Sequence, residues 1–108
     1  MDDIIIGKGK IYGKGIYANR DFKKGKIVIR YNPKKLTKKE LLELPKKEKD
    51  FTHKHGKTIY LYSSPERYVN HSDNPNTIQD LKNKCDIALK NINNGDEITT
   101  DSSKDDFP

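Results

Sequence analysis

Between Arg67 and Asn76 the chain reads Arg67-Tyr68-Val69-Asn70-His71-Ser72-Asp73-Asn74-Pro75-Asn76. Three asparagines, a histidine, a serine and an aspartate fall within seven positions, directly after an aromatic–apolar pair. Such side chains compete for backbone hydrogen bonds, so the run cannot be a plain strand. It has to be a polar loop, or a network whose partners are backbone or a ligand. Two familiar chemistries fit it poorly. Ser72 adjoins His71, and no spacing offers a third member of a nucleophilic triad. A metal centre needs about four ligands at suitable spacing, whereas His53 and His55 lie far upstream and Cys85 is the sole cysteine; no metal is expected. A second run, Gly13-Lys14-Gly15-Ile16-Tyr17-Ala18, would let backbone approach a ligand closely. It lacks the third glycine and the βαβ unit of a dinucleotide fingerprint, and taken alone it reads as a glycine-rich turn.

The elements that must position these runs are short. Ile4-Ile5-Ile6 and Lys26-Ile27-Val28-Ile29-Arg30-Tyr31 are β-rich, the second stopped by Asn32-Pro33. Thr58-Ile59-Tyr60-Leu61-Tyr62, Cys85-Asp86-Ile87-Ala88-Leu89 and Glu97-Ile98-Thr99-Thr100 read as further strands. Thr37-Lys38-Lys39-Glu40 has the form of a helix capping box. Leu36, Leu41, Leu42 and Leu44 supply a short apolar face, and Pro45 ends the helical piece. The lysine-rich stretch to Lys57 is expected to hold another turn or two. Residues 18–25 and 88–95 echo each other as Ala-x-basic-Asp/Asn-apolar-x-x-Gly, each leading into an apolar strand. The shared pattern predicts two strand–turn–strand units in which glycine supplies a left-handed residue. The fold class is mainly β.

Composition bounds the rest. The chain has 108 residues, enough for one domain, with 31% hydrophobic and 35% charged residues. Its core must be small. No apolar run nears the ~18 residues of a membrane span, and the acids at Asp2 and Asp3 stand where a signal peptide needs basic residues. The expected setting is cytoplasmic, or nuclear and chromatin-associated in a eukaryotic host. The net charge is +6, and residues 33–57 carry nine lysines against four acids. That segment is either a solvated face or a surface for an acidic partner. Nineteen lysines against three arginines disfavour nucleic acid, because arginine makes the bidentate phosphate and base contacts.

The runs at 13–18 and 67–76, followed by Gly95-Asp96-Glu97-Ile98-Thr99-Thr100-Asp101, occur in the order and spacing of the SET domain. The chain thus resembles the S-adenosylmethionine-dependent protein-lysine methyltransferases, over about residues 11–103. The Asn-His-Ser-x-Asn-Pro-Asn run is the most specific part. The resemblance implies a single stand-alone SET domain over 1–108, with short strands in small sheets, a short helical insert and a knot-like C-terminal segment. It implies S-adenosylmethionine as cofactor, with its methionine end held around Gly13, Lys14 and Gly15. Asn70 would bind the cofactor's amino and carboxylate groups, and the backbone of His71 would pair with its adenine. Tyr31 would line the channel for the target lysine of a protein substrate. Residues 33–57 would read that substrate. A narrow, apolar, aromatic channel would then favour the neutral amine by desolvation.

Three departures from the family pattern stand out. Ser102 occupies the position of a tyrosine closely tied to catalysis, which implies a wider, wetter channel and an activity that is weakened or reduced to binding. Asp73 replaces the usual cysteine. No post-SET zinc segment follows, and Phe107 is left to cover the site.

Overall fold

The computed structural model describes residues 3–10, 13–80 and 82–101. In chain order the strands are β1 (Ile4–Lys8), β2 (Lys14–Ala18), β3 (Ile27–Arg30) and β4 (Lys34–Leu36). Two short helices follow, α1 (Lys38–Glu43) and α2 (Lys46–Lys49). Then come β5 (Thr52–His55), β6 (Thr58–Leu61), a 3-10 turn at Glu66–Tyr68, β7 (Asn70–His71), β8 (Thr77–Asp80), β9 (Cys85–Ala88) and β10 (Glu97–Thr100). The strands form three small sheets, ordered β1-β2-β10-β7, β3-β9-β8 and β4-β6-β5. The protein is mainly β, as its composition and turn chemistry predict.

The sequence echo becomes a reciprocal lock. The two turns face each other through an antiparallel bridge between Phe22 and Ile92, with both N–H groups donating across at 2.8 Å. Gly25 N–H donates to the Ala88 carbonyl and Gly95 N–H to the Ala18 carbonyl, each at 2.8 Å. The equivalent side chains also match: Lys24 N–H donates to Asn91 Oδ1 (3.0 Å), and Asn94 N–H to Asp21 Oδ1 (2.7 Å). Gly25 and Gly95 sit at φ 91° and 94°, where a side chain would be strained. Each turn therefore completes the hydrogen bonding of the other, which buried backbone requires.

The core lies between these turns and the β1-β2-β10-β7 and β3-β9-β8 sheets. It comprises Ile16, Ala18, Phe22, Val28, Ile29, Ala88, Ile92 and Ile98. Ile16 and Ile98 are register partners across β2 and β10, and both are fully buried. β10 is inserted between β2, to which it is antiparallel, and β7, to which it is parallel. This insertion of a late strand brings two distant sequence runs together. The knot-like passage implied by the resemblance is where the Asn70–Asn76 loop and the Gly95–Asp101 strand meet, and these two do meet in the parallel pairing of β7 with β10; residues 102–108 lie outside the described residues.

The segment 33–57 holds more strand than its sequence suggested. Thr37 caps α1 through a complete capping box, and Leu44 ends it before Pro45 opens α2. The stretch after α2 is not more helix but β5, paired along its length with β6. Thr52 and Thr58 are β-branched, and Gly56 at φ 65° closes the hairpin. The leucine face is only partly covered: Leu36, Leu41 and Leu44 are half-buried, whereas Leu42 is 78% exposed and α1 has no fully buried residue. A six-residue helix has too few turns to bury a stripe.

Candidate active site

The 13–18 run is only partly a turn. Gly13 has φ 41°, but Lys14 and Gly15 belong to β2. Gly15 is buried, and a Cβ there would meet Glu97 Oε2 at 2.6 Å and Gly9 Cα at 2.9 Å. The absence of a side chain is what lets the Glu97 carboxylate lie against the strand. That carboxylate is a clasp: Oε1 accepts from Lys10 N–H (3.0 Å) and Oε2 from Asn70 Nδ2 (2.9 Å). Asn70 Nδ2 also donates to the Lys14 carbonyl at 3.1 Å. One asparagine therefore joins the glycine run, the polar run and the final strand.

The polar run satisfies itself much as its composition demands. β7 pairs with β10, and Ser72 N–H donates to the Thr100 carbonyl at 2.9 Å. Asn76 acts as a surrogate strand residue. Its Nδ2 donates to the Glu97 carbonyl (2.8 Å), and its Oδ1 accepts from Thr99 N–H (2.9 Å). The His71 ring lies at the surface, with Nε2 3.0 Å from Asp73 Oδ1 and Nδ1 3.6 Å from Asp101 Oδ1. Its backbone sits on the edge strand of its sheet.

Two cavities flank this junction. The smaller, about 350 Å³, is lined by Lys14, Phe51, Arg67, Tyr68 and Asn70. The Lys14 ammonium stands 5.1 Å from the centre of the Tyr68 ring, a cation–π distance. The larger, about 510 Å³, opens over Tyr31, Tyr62, Glu66, Gln79, Asp86 and Thr100. Phe51 and Arg67 belong to both walls. Arg67 is held rigidly there. Its guanidinium makes two hydrogen bonds to Glu48 (3.1 and 3.3 Å), donates to the Tyr62 carbonyl (2.9 Å) and lies over Phe51.

The larger cavity departs from the narrow apolar channel expected. Tyr31 follows β3 and does line it, but its hydroxyl donates to Asp86 Oδ1, and Asp86 is fully buried on β9. Burial pushes the Tyr31 phenol far above its ordinary range, and the adjacent Asp86 carboxylate adds to the shift. The phenol is therefore a hydrogen-bond donor at any physiological pH. Glu66 is buried as well, its Oε2 accepting from Asn32 and Ser63 N–H at 3.0 and 3.1 Å. Tyr31 and Tyr62 lie 5.2 Å apart, and His53 stacks on Tyr62 at 3.9 Å. The cavity is aromatic, but it is also acidic.

The structure thus joins Lys14 to Asn70 directly and Gly15 to Asn70 through Glu97, pairs the His71 backbone with β10, and places Tyr31 in the adjoining cavity, while Gly13, Gly15 and His71 line neither cavity. Ser102 lies outside the described residues. Sequence reasoning missed Glu97, Glu66 and Asp86 as site residues. Glu97 stood inside the singled-out run 95–101, and Asp86 carried a signal as an acid inside the apolar run 85–89, where an unpaired charge would be costly. Glu66 gave none, because its surroundings come from three separate segments.

This arrangement can be set beside known proteins. A Plasmodium falciparum protein named as a histone methyltransferase superposes with a TM-score of 0.74 at 24% identity, over 94% of this chain and 93% of that one. A humanized mutant of Chaetomium thermophilum Polycomb Repressive Complex 2, bound to the inhibitor GSK126, gives 0.74 at 21% identity, covering 97% of this chain and 15% of that one. At such identities these likenesses speak to the fold. No curated protein matches the chain in sequence. The SET domain family model matches residues 13–101, from the glycine run to the end of the last strand. That stretch contains both cavities and the junction between them, and on it the chain belongs to the SET-domain family.

Proposed function

We propose that the chain transfers a methyl group from S-adenosylmethionine to the side-chain amine of a lysine in a protein substrate. The observation that carries this reading is the pair of cavities sharing Phe51 and Arg67. Two sites with a common wall suit a reaction that joins two molecules, and holding both is most of the catalysis such a transfer needs. The residues of the smaller cavity fit the cofactor. Lys14 offers a cation to its carboxylate, Tyr68 and Phe51 an aromatic surface, and Asn70 an amide at the junction. Gly15 seats the Glu97 carboxylate that holds Asn70, and the open edge of β7 presents the His71 backbone. When bound, S-adenosylmethionine supplies a methyl group on a sulfonium centre. Tyr31 and the aromatic walls orient the lysine in the larger cavity, and its amine must be neutral when it reacts. Ser102, where the family has a tyrosine, favours as a second reading a module that binds cofactor or lysine peptide with little turnover.

Asn70 is the sharpest test of the cofactor site. Its amide holds Lys14 and Glu97 together and faces the smaller cavity. Asn70→Ala is expected to weaken S-adenosylmethionine binding roughly ten- to a hundredfold, the worth of charge-assisted hydrogen bonds at ~1.5–3 kcal/mol. Calorimetry giving equal affinity for both proteins, with the same melting temperature, would remove Asn70 from the site.

The insert supports a proposal about partners. All nine of its lysines are exposed. Two of its four acids are already engaged, Glu40 with Lys34 and Glu48 with Arg67. The free charge therefore favours a target segment or partner rich in acids. Binding to an acidic peptide should fall steeply between low and ~0.15 M salt, where the Debye length shortens to ~8 Å. Charge reversal at Lys38, Lys39, Lys46 and Lys47 should have the same effect at low salt. Unchanged binding in that variant would make the insert a solvated surface.

A further inference from the structure

We propose that the larger cavity receives the substrate lysine as a cation and that Asp86 takes its proton there. The inference rests on the methyl-transfer reading above and adds a catalytic residue to it. Its basis is what the cavity offers a guest. Glu66 Oε1, Gln79 Oε1 and Thr100 Oγ1 are buried oxygens with no hydrogen-bond partner among the described residues, and all three residues line this cavity. Leaving such atoms unsatisfied is costly. A guest that satisfies them must bring hydrogen-bond donors, and an alkylammonium brings three on one positively charged atom. Two fully or nearly fully buried carboxylates, Asp86 and Glu66, supply the counter-charge. The stacked Tyr62 and His53 rings and the tilted Tyr31 ring supply faces that a cation tolerates.

A lysine that enters charged must be neutralised before it can act as a nucleophile. In water at pH 7 only roughly one amine in 2,500 is neutral, given a pKa of ~10.4. Tyr31 cannot accept the proton, because its own hydroxyl already carries one and holds it tightly. Glu66 already shares its charge with the Asn32 and Ser63 N–H groups through Oε2, and its Oε1 is left to hold the ammonium. Asp86 is the carboxylate that the Tyr31 hydroxyl orients, and it lies on the wall of the same cavity. The step balances within itself. One N–H bond of the ammonium breaks, an O–H bond forms on an Asp86 oxygen, and the amine keeps the electron pair. Two opposite charges disappear together, which a poorly solvated cavity favours. The proton passes to water when the methylated product leaves.

The titratable and charged groups facing the same cavity are Tyr31, Asp50, His53, Tyr62, Glu66 and Arg67, with Cys85 beside Asp86 on β9. Asp86→Asn is the informative variant, since its amide oxygen still accepts from Tyr31 and its size is unchanged.

The first measurement needs neither cofactor nor turnover. n-Butylammonium is titrated into the whole chain and followed by the NMR shifts of the cavity residues, with n-butanol as the neutral control. Wild type should bind the ammonium at least tenfold more tightly than the alcohol. Asp86→Asn, and separately Glu66→Gln, should erase that preference. The second measurement follows labelling of lysate protein from radiolabelled S-adenosylmethionine between pH 7.5 and 9.5. Asp86→Asn should be slower than wild type by ~10²–10⁴ at pH 7.5, the usual worth of a positioned base. It should recover about tenfold per pH unit, because the amine then arrives already neutral. A merely structural defect lowers the rate by one factor at every pH. Ammonium binding equal to wild type in Asp86→Asn, or a rate loss that is flat with pH, overturns the proposal. If the chain labels nothing, the methyl-transfer reading fails, and butylammonium preference still decides whether the cavity is a cation site.

Discussion

Tyr31→Phe should lower methyl transfer by ~10²–10³, the effect of removing one positioned hydrogen-bond donor from a reacting centre. The loss should appear in kcat, with S-adenosylmethionine affinity unchanged, because Tyr31 lines the larger cavity and not the smaller one. The same substitution has a signature in stability. In the folded chain, burial and the Asp86 carboxylate keep the phenol protonated far into alkaline pH. In the unfolded chain it ionises near ~10. Stability from this raised folded value is complete below pH ~10 and drains away as pH rises beyond it. Melting temperatures between pH 9.5 and 11 should therefore fall more steeply for wild type than for Tyr31→Phe. The complementary change is Ser102→Tyr, which supplies a phenol at the position that the sequence resemblance assigns to a tyrosine. It should raise turnover at least ~10-fold. A fast wild type whose kcat does not rise in that variant would mean that another residue does the tyrosine's work.

Ile98→Ala should cost ~2–5 kcal/mol, the range for truncating a buried isoleucine. Ile98 is fully buried and faces Ile16 across β2 and β10. Folded domains have only ~5–15 kcal/mol in hand, so this one side chain is a large share. The loss should register as a lower urea midpoint with little change in slope. Its reach is functional too, because β10 also sets Glu97 against Gly15 and Asn70, and Thr100 in the larger cavity. Leu42→Ala is the control. Leu42 is 78% exposed, and its truncation should stay within ~0.5 kcal/mol. A cost below ~1 kcal/mol for Ile98→Ala would mean that β10 is not central to the core.

Local features were legible wherever one short segment contains its own physical cause. The capping box at Thr37 and Glu40 needs only residues three apart, and it forms as written. The strands around Ile27, Thr58, Cys85 and Glu97 follow from β-branched and apolar runs between turn residues. The glycines of the echoed turns follow from a backbone angle that other residues resist. The leucine face of α1 was legible only in part, because periodicity says which side is apolar, not how deeply it is covered: Leu41 and Leu44 are half-buried and Leu42 is exposed. β5 was missed for a related reason. Its lysine and histidines carry little strand signal, and pairing with β6 overrides their propensity.

By itself, then, the amino-acid sequence determined a small, mainly β domain, its turn chemistry, and the three runs whose order and spacing mark the SET family. Only the tertiary structure decided how the two echoed turns complete each other's hydrogen bonds across about 70 positions. It also decided that Glu97 joins the other two runs, and that Tyr31 meets Asp86 beside Glu66 in an acidic cavity. The reason is one of range. Turns, caps and strands are governed by neighbours along the chain. The character of a cavity depends on which carboxylates, rings and N–H groups are left facing it after β10 has entered between β2 and β7, and no local pattern encodes that meeting.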